Sequence, residues 1–216
     1  MPFCVLSHFI KTTEGVSAVY DTVIKRALDI LFSVLLLIVL SPLLLDIMLV
    51  LTVTTRGKPL FKQQRAGRLN RPFYMYKFRT MHHDAPPHRP TADFEDANRY
   101  ITRFGHFLRN TSLDELPQLW NVLRGDMSFI GPRPVILAEV TLLRERQKRG
   151  ADTVRPGLSG ISQLHGRDFV DVAHKARYDA YYAAHITFWL DVQLFFRTIY
   201  YVATRRGVRL SSKPKS

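Results

Sequence analysis

Asp114 and Glu115 stand side by side in "TSLDELPQLWN", residues 111–121 of a chain whose formal net charge is +13. Two adjacent carboxylates can hold a divalent cation against a diphosphate, or one of them can attack phosphorus. They can also simply cap a helix. Ser112 with Glu115 fits the S-x-x-E capping pattern, and with Asp114 as the cap, Pro117 falls in a first turn where its missing N–H costs nothing. The cations nearby in sequence favour anion chemistry. Arg109 lies upstream, Arg133 sits between prolines in "GPRP", Arg155 in "VRPG", and Lys77 and Arg79 in "YKFR". Proline-flanked arginines have little freedom left to lose on gripping a phosphate. Arg124 reads as a solvated surface charge.

The elements that must position these residues begin from composition. At 216 residues the chain fits one domain with a real core. A single cysteine, Cys4, excludes an intramolecular disulfide. The 31 Lys+Arg against 18 Asp+Glu call for an anionic partner: a nucleic acid, an acidic membrane surface or a phosphate-bearing substrate.

One stretch narrows that choice. "ILFSVLLLIVLSPLLL", residues 30–45, carries no charge, and after Asp46 the apolar run resumes to Thr55. A helix over 30–53 would be about 36 Å long, enough to cross a hydrocarbon core of about 30 Å. Pro42 interrupts it at the midpoint, and the Ser41 hydroxyl is placed to satisfy a carbonyl that the proline frees. Lys25 and Arg26 flank one end, Arg56 and Lys58 the other, so the positive-inside rule keeps both ends on the cytoplasmic side. Physics alone leaves a re-entrant hairpin and a kinked spanning helix both open.

The remaining punctuation gives a lead-in over 1–20, the membrane hairpin over 21–56, and a catalytic domain over 57–216 ending in interfacial helices. Residues 58–81 alternate apolar and basic side chains around turn signals, which predicts a β-hairpin with a basic face. Residues 82–100 read as a turn-rich loop. Residues 100–127 read as two short helices, the second ending near Gly125. "SFIGPRP" and "TVRPGLSGISQLHGR" read as loops joined by a charged helix over 135–150, and the aromatic tail reads as helical. The fold class expected is therefore α/β, with a small, mostly helical catalytic part.

"SLDELPQLWNVLRGDMSFIGPRP" closely resembles the signature of the bacterial sugar transferase family, the monotopic phosphoglycosyl transferases. "KRALDILFSVLLLIVLSPLLL" resembles the family's re-entrant helix with its Ser-Pro break. "FKQQRAGRLNRPFYMYKFRTM" and "VRPGLSGISQLHGR" are similar to two further blocks, so the likeness runs from Lys25 to Arg167. It implies a monotopic enzyme of the bacterial inner membrane, facing the cytoplasm, that moves a sugar-1-phosphate from a UDP-sugar to undecaprenyl phosphate. UMP leaves, and a glycan, such as an exopolysaccharide, is begun. By the same likeness Asp114 is the nucleophile and Glu115 assists with Mg²⁺ and with proton handling on the incoming polyprenol phosphate, both acids serving as metal ligands. Lys77, Arg79, Arg109, Arg133 and Arg155 line the phosphate and uridine site, and Ser41 and Pro42 shape the hairpin. The likeness implies a core-only member and leaves room for a homodimer. Near residues 185–187 the tail departs from the Asn-Trp-Ser-like stretch expected of the family.

Other readings explain less. His82, His83, Asp84 and His88 match no zinc-ligand spacing. A retaining glycosidase needs its carboxyls about 5 Å apart across a sugar, which adjacent residues do not naturally provide. A non-enzymatic, membrane-anchored module binding anionic lipid or nucleic acid suits the charge but leaves the acid pair and the proline-held arginines without a task. The expectation is thus a bilayer partner and no nucleic acid.

Overall fold

The computed structural model describes residues 19–55, 58–82, 100–165 and 171–204. It is mostly helical, with two small sheets. A π-helical turn, Tyr20–Ile24, leads into α1 (Lys25–Val39), which is followed after a one-residue break by α2 (Ser41–Thr54). The break bends the pair by 62°. Pro42 has no N–H to offer the carbonyl of Ile38, and the Ser41 hydroxyl donates to that oxygen instead at 2.8 Å. The Ser41 hydroxyl thus satisfies the carbonyl that Pro42 frees, the bond expected of it. No single helix among the described residues is long and apolar enough to cross a membrane; the bent pair together has the length and composition.

The two basic residues before the hairpin correct the sequence reading. Lys25 is not a solvated flank charge but is 7 % exposed, ion-paired with Asp191 and lying beside the Tyr182 ring. Asp191 also accepts from the hydroxyls of Tyr20 (2.8 Å) and Tyr182 (2.7 Å). Arg26 donates to the carbonyls of Val122 (2.6 Å) and Leu123 (2.7 Å). Both charges are thus used inside the protein, because the base of α1 is packed against other elements rather than standing in solvent. Asp29, one turn on, accepts from Ser128 Oγ and Phe129 N, each at 3.1 Å. Arg56 lies outside the described residues, as do His83, Asp84, His88 and nearly all of the 1–20 lead-in.

The expected hairpin is present: β1 (Leu60–Ala66) pairs antiparallel with β2 (Pro72–Phe78), in a register that sets Phe61 opposite Lys77 and Arg65 opposite Phe73. Then come α3 (Arg103–Asn110), a 3₁₀ turn (Leu113–Glu115) and α4 (Gln118–Arg124). Gly125 ends α4 in the left-handed conformation, φ +89°, the role expected of a glycine there.

Past Gly125 the sequence reading needs amendment. "SFI" and "GLS" are not loops but strands, β3 (Ser128–Ile130) and β4 (Gly157–Ser159), paired in parallel. Three residues are too few to show a period of two, so these strands leave no local signal. The expected long helix is shorter, α5 (Val140–Lys148), and is followed by a 3₁₀ turn (Ala151–Thr153). Residues 161–164, read as loop, form a short helix, α6 (Ile161–Leu164); the tail is α7 (Val172–Ala184) and α8 (Phe188–Ala203), broken before α8 where the Thr187 hydroxyl accepts from Leu190 N. Gly131 and Gly157 allow the β3 and β4 backbones to meet: a Cβ on Gly157 would lie 2.1 Å from Gly131 N.

Four apolar clusters hold these parts together. Ile47 and Leu51 of α2 pack with Phe78, Leu108, Leu113 and Leu116. Tyr20, Ile130, Tyr182 and Leu194 bind the turn that leads into α1 to β3, α7 and α8. Met75, Val122 and Met127 join the hairpin to α4, and Ala66, Val135, Leu142 and Ala176 join β1 to α5 and α7.

Candidate active site

The acid pair sits in the 3₁₀ turn between α3 and α4. Leu113 and Leu116, on either side of it, are packed into the cluster formed with α2, the hairpin and α3. That anchorage fixes a short turn which would have little stability alone. Ser112 enters it at φ +57°, a left-handed conformation that costs a non-glycine residue roughly 1–3 kcal/mol. Neither capping reading holds. Ser112 makes no side-chain cap, and the cap position of α4 is Pro117, again without one. The acids stand in the turn before α4, free to face their cations.

Lys77, from the inward face of β2, donates to Glu115 Oε1 at 2.7 Å. Arg133 reaches the same oxygen at 3.8 Å. Arg109, held by its Nε donating to Thr80 Oγ1 at 2.8 Å, adds its charge to the field at Asp114. Burial pushes the Asp114 carboxyl up to about 6, with the Glu115 charge adding to the rise and Lys77, Arg109 and Arg133 opposing it. Burial likewise holds Arg109 below the usual guanidinium range, against the pull of Asp114. So Asp114 is ionised at neutral pH but poorly solvated, the state in which a carboxylate is a reactive oxygen nucleophile.

The residues behind these are set by longer-range contacts. Arg146 makes a buried ion pair with Asp179 (2.6 Å) and donates to the carbonyl of Arg133 (3.0 Å), so α5 and α7 hold the "GPRP" segment in place. Buried Asn121 accepts from Tyr76 N (3.0 Å) and donates to Tyr74 O (2.7 Å), which locks α4 to β2 and hence the acids to Lys77. Gln118, buried at the start of α4, keeps its Nε2 without a hydrogen-bond partner.

Of the residues expected at the site, Lys77, Arg109 and Arg133 converge on Asp114 and Glu115. Arg155 does not. Its Nε donates to the carbonyl of Gly125 (3.2 Å), at the far end of α4, close enough to Arg26 for their charges to oppose each other. Arg79 lies just past β2, half-buried, its backbone N–H bonded to Pro59 O at 2.8 Å. Arg124 is 55 % exposed and only loosely paired with Asp126 at 3.7 Å, the solvated role expected of it. Sequence reasoning missed Arg65, whose guanidinium lies in the field of Arg133, Glu139 and Glu115. The alternation of "FKQQRA" was the available signal; what hid Arg65 was the register that turns its face toward Lys77.

Comparison with known proteins places the chain in a family. The family model described as bacterial sugar transferase matches residues 20–205. The chain is 38 % identical over 195 residues to the UDP-N-acetylgalactosamine-undecaprenyl-phosphate N-acetylgalactosaminephosphotransferase of Aeromonas hydrophila, covering 86 % of this chain and 45 % of that protein. It is 39 % identical over 202 residues to the undecaprenyl-phosphate galactose phosphotransferase of Salmonella typhimurium, covering 85 % and 41 %. Against the exopolysaccharide production protein PSS of Rhizobium leguminosarum bv. phaseoli it is 38 % identical over 197 residues, covering 86 % and 98 %. The chain thus spans less than half the length of the first two relatives and nearly all of the third. The stretch matched includes the bent helix pair, the hairpin and the acid turn, and on that ground the chain belongs to the bacterial sugar transferase family.

Proposed function

We propose that this protein transfers a sugar-1-phosphate from a UDP-sugar to undecaprenyl phosphate through a phosphosugar carried on Asp114. The observation that carries this reading is the half-buried Asp114 carboxylate, its pKa raised, in the field of Lys77, Arg109 and Arg133 and next to Glu115, which Lys77 and Arg133 contact. The names of the two phosphotransferase relatives supply the acceptor class.

In the first half-reaction an Asp114 oxygen forms a bond to the sugar-bearing phosphorus, and the bond from that phosphorus to the UMP oxygen breaks, its electron pair leaving with UMP. In the second, a phosphate oxygen of undecaprenyl phosphate attacks the same phosphorus, and the aspartyl–phosphorus bond breaks to return the carboxylate. Lys77 and Arg133 hold the charge that gathers on phosphate oxygens in each transition state, and Glu115 keeps Lys77 aimed. Mg²⁺ normally takes one or two carboxylates and completes its shell with waters and substrate phosphates. Asp114 and Glu115 suit that protein share, whereas no cluster of three or more His, Cys, Asp or Glu that could hold a metal occurs among the described residues. When bound, the ion would neutralise diphosphate charge at the site.

The bent α1–α2 pair is read as a re-entrant hairpin in the cytoplasmic membrane. Ile38, Val39, Leu45, Leu49 and Val53 on it are exposed, as are Trp189, Phe196 and Tyr200 on α8, an outer face suited to acyl chains and their interface.

Incubation with a panel of UDP-sugars and undecaprenyl phosphate should release UMP with one sugar or a narrow set. EDTA should stop the release and added Mg²⁺ restore it. Release of UDP instead would mark an ordinary glycosyl transfer, and full activity in excess EDTA would remove the metal from the reading.

The pH profile follows from Asp114. Its active form is the carboxylate and its folded pKa is raised, so kcat/KM for the donor should climb about tenfold per pH unit toward 6 and level off above it. A profile already flat at pH 5 would show that Asp114 is not the titrating nucleophile.

A further inference from the structure

Arg65 has the features of a binding residue that lacks its ligand. Its Nε is buried without a hydrogen-bond partner, while one Nη donates to Gln63 Oε1 (2.7 Å) and the other only reaches Pro134 O at 3.5 Å. A buried guanidinium N–H left unmade is costly, and a purely structural arginine would be expected to use it. The group also lies close enough to Arg133 for the two charges to repel; burial and that repulsion hold Arg65 down to about 10, against the pull of Glu139 and Glu115.

The order of the charges indicates what is missing. Lys77 touches Glu115, Glu115 faces Arg133, and Arg133 neighbours Arg65, so the cations form a track leading away from the acid turn. The hairpin register places Lys77 and Arg65 on one face of the sheet but four positions apart along β1, about 13 Å at the usual strand rise. Lys77 serves the end nearest Asp114. The Arg65 end, where its Nη reaches the carbonyl of Pro134 next to Arg133, is suited to a second anionic group, since forked guanidiniums can each grip a phosphate bidentately.

We propose that Arg65, together with Arg133, binds the nucleoside-monophosphate phosphate of the donor, the one that departs, and not the phosphate that Asp114 attacks. This rests on the sugar-phosphate transfer proposed above. It assigns Arg65 to holding the leaving group, and so to product affinity as well as donor affinity.

The test measures binding of UMP and of uridine to the full-length, detergent-solubilised protein, wild type, Arg65→Ala and Arg65→Lys, by titration calorimetry. Wild type should bind UMP more tightly than uridine. Arg65→Ala should weaken UMP by about 10- to 100-fold and leave uridine unchanged, and Arg65→Lys should recover part of the loss, since it keeps the charge but not the fork. Equal weakening of both ligands would make Arg65 a structural residue and overturn the proposal. So would unchanged UMP affinity accompanied by a raised KM for undecaprenyl phosphate, because the second anion would then be the acceptor's. A wild-type protein that binds neither ligand would overturn the donor reading itself, a result distinct from failure at Arg65 alone.

Discussion

If Asp114 carries the phosphosugar, Asp114→Asn should lose at least about 10⁴-fold in turnover, because it replaces the anionic carboxylate with a non-nucleophilic amide of the same shape. Incubated with a UDP-sugar labelled in the sugar and without lipid acceptor, wild-type protein should acquire a covalent label that the variant does not. The fold should survive. The carboxylate's raised pKa means that the folded state binds its proton more readily than the unfolded chain does, so ionised Asp114 weakens the fold progressively as pH rises from about 4 to about 6. An uncharged amide escapes that penalty, and the variant's Tm at pH 7 should not fall. Label and turnover persisting in Asp114→Asn would end the nucleophile assignment. Loss of both with a collapsed Tm would mean the residue is structural.

Lys25→Met should destabilise the protein by about 3–5 kcal/mol, since it leaves Asp191 charged and buried without its cation. The tyrosine hydroxyls of Tyr20 and Tyr182 still donate to Asp191, but hydrogen bonds alone compensate poorly for a buried charge. Adding Asp191→Asn removes that charge and keeps an oxygen acceptor for one of the two tyrosine hydroxyls, so the double variant should recover much of the loss. Urea denaturation in detergent, followed by tryptophan fluorescence, reads out both. A double variant no more stable than Lys25→Met would show that the ion pair is not what ties α1 to α8.

Much of the site was legible because its signals are local. Pro42 must break a helix wherever it stands, and Ser41 beside it has a hydroxyl within reach of the freed carbonyl; both follow from covalent structure. Gly125 ends α4 for the same kind of reason. Asp114 and Glu115 stood out by their adjacency, and the proline-held Arg133 by its flanks.

What the sequence by itself determined, then, was the adjacent acid pair as the candidate for chemistry, the broken apolar helix, the hairpin and the family. The tertiary structure alone decided which cations meet the acids. Lys25 and Asp191 are 166 positions apart, Arg26 and Val122 are 96 apart, and no local period links them. Arg155 shares its proline-flanked setting with Arg133, yet the parallel pairing of β3 and β4 brings it to the carboxyl end of α4 and not to the acids. Arg65 depended on strand register, where a slip of one residue would have turned it to the opposite face. Local chemistry is written in neighbouring residues, whereas the partners of a charge are chosen by packing between distant segments, and that choice is made only once the chain has closed on itself.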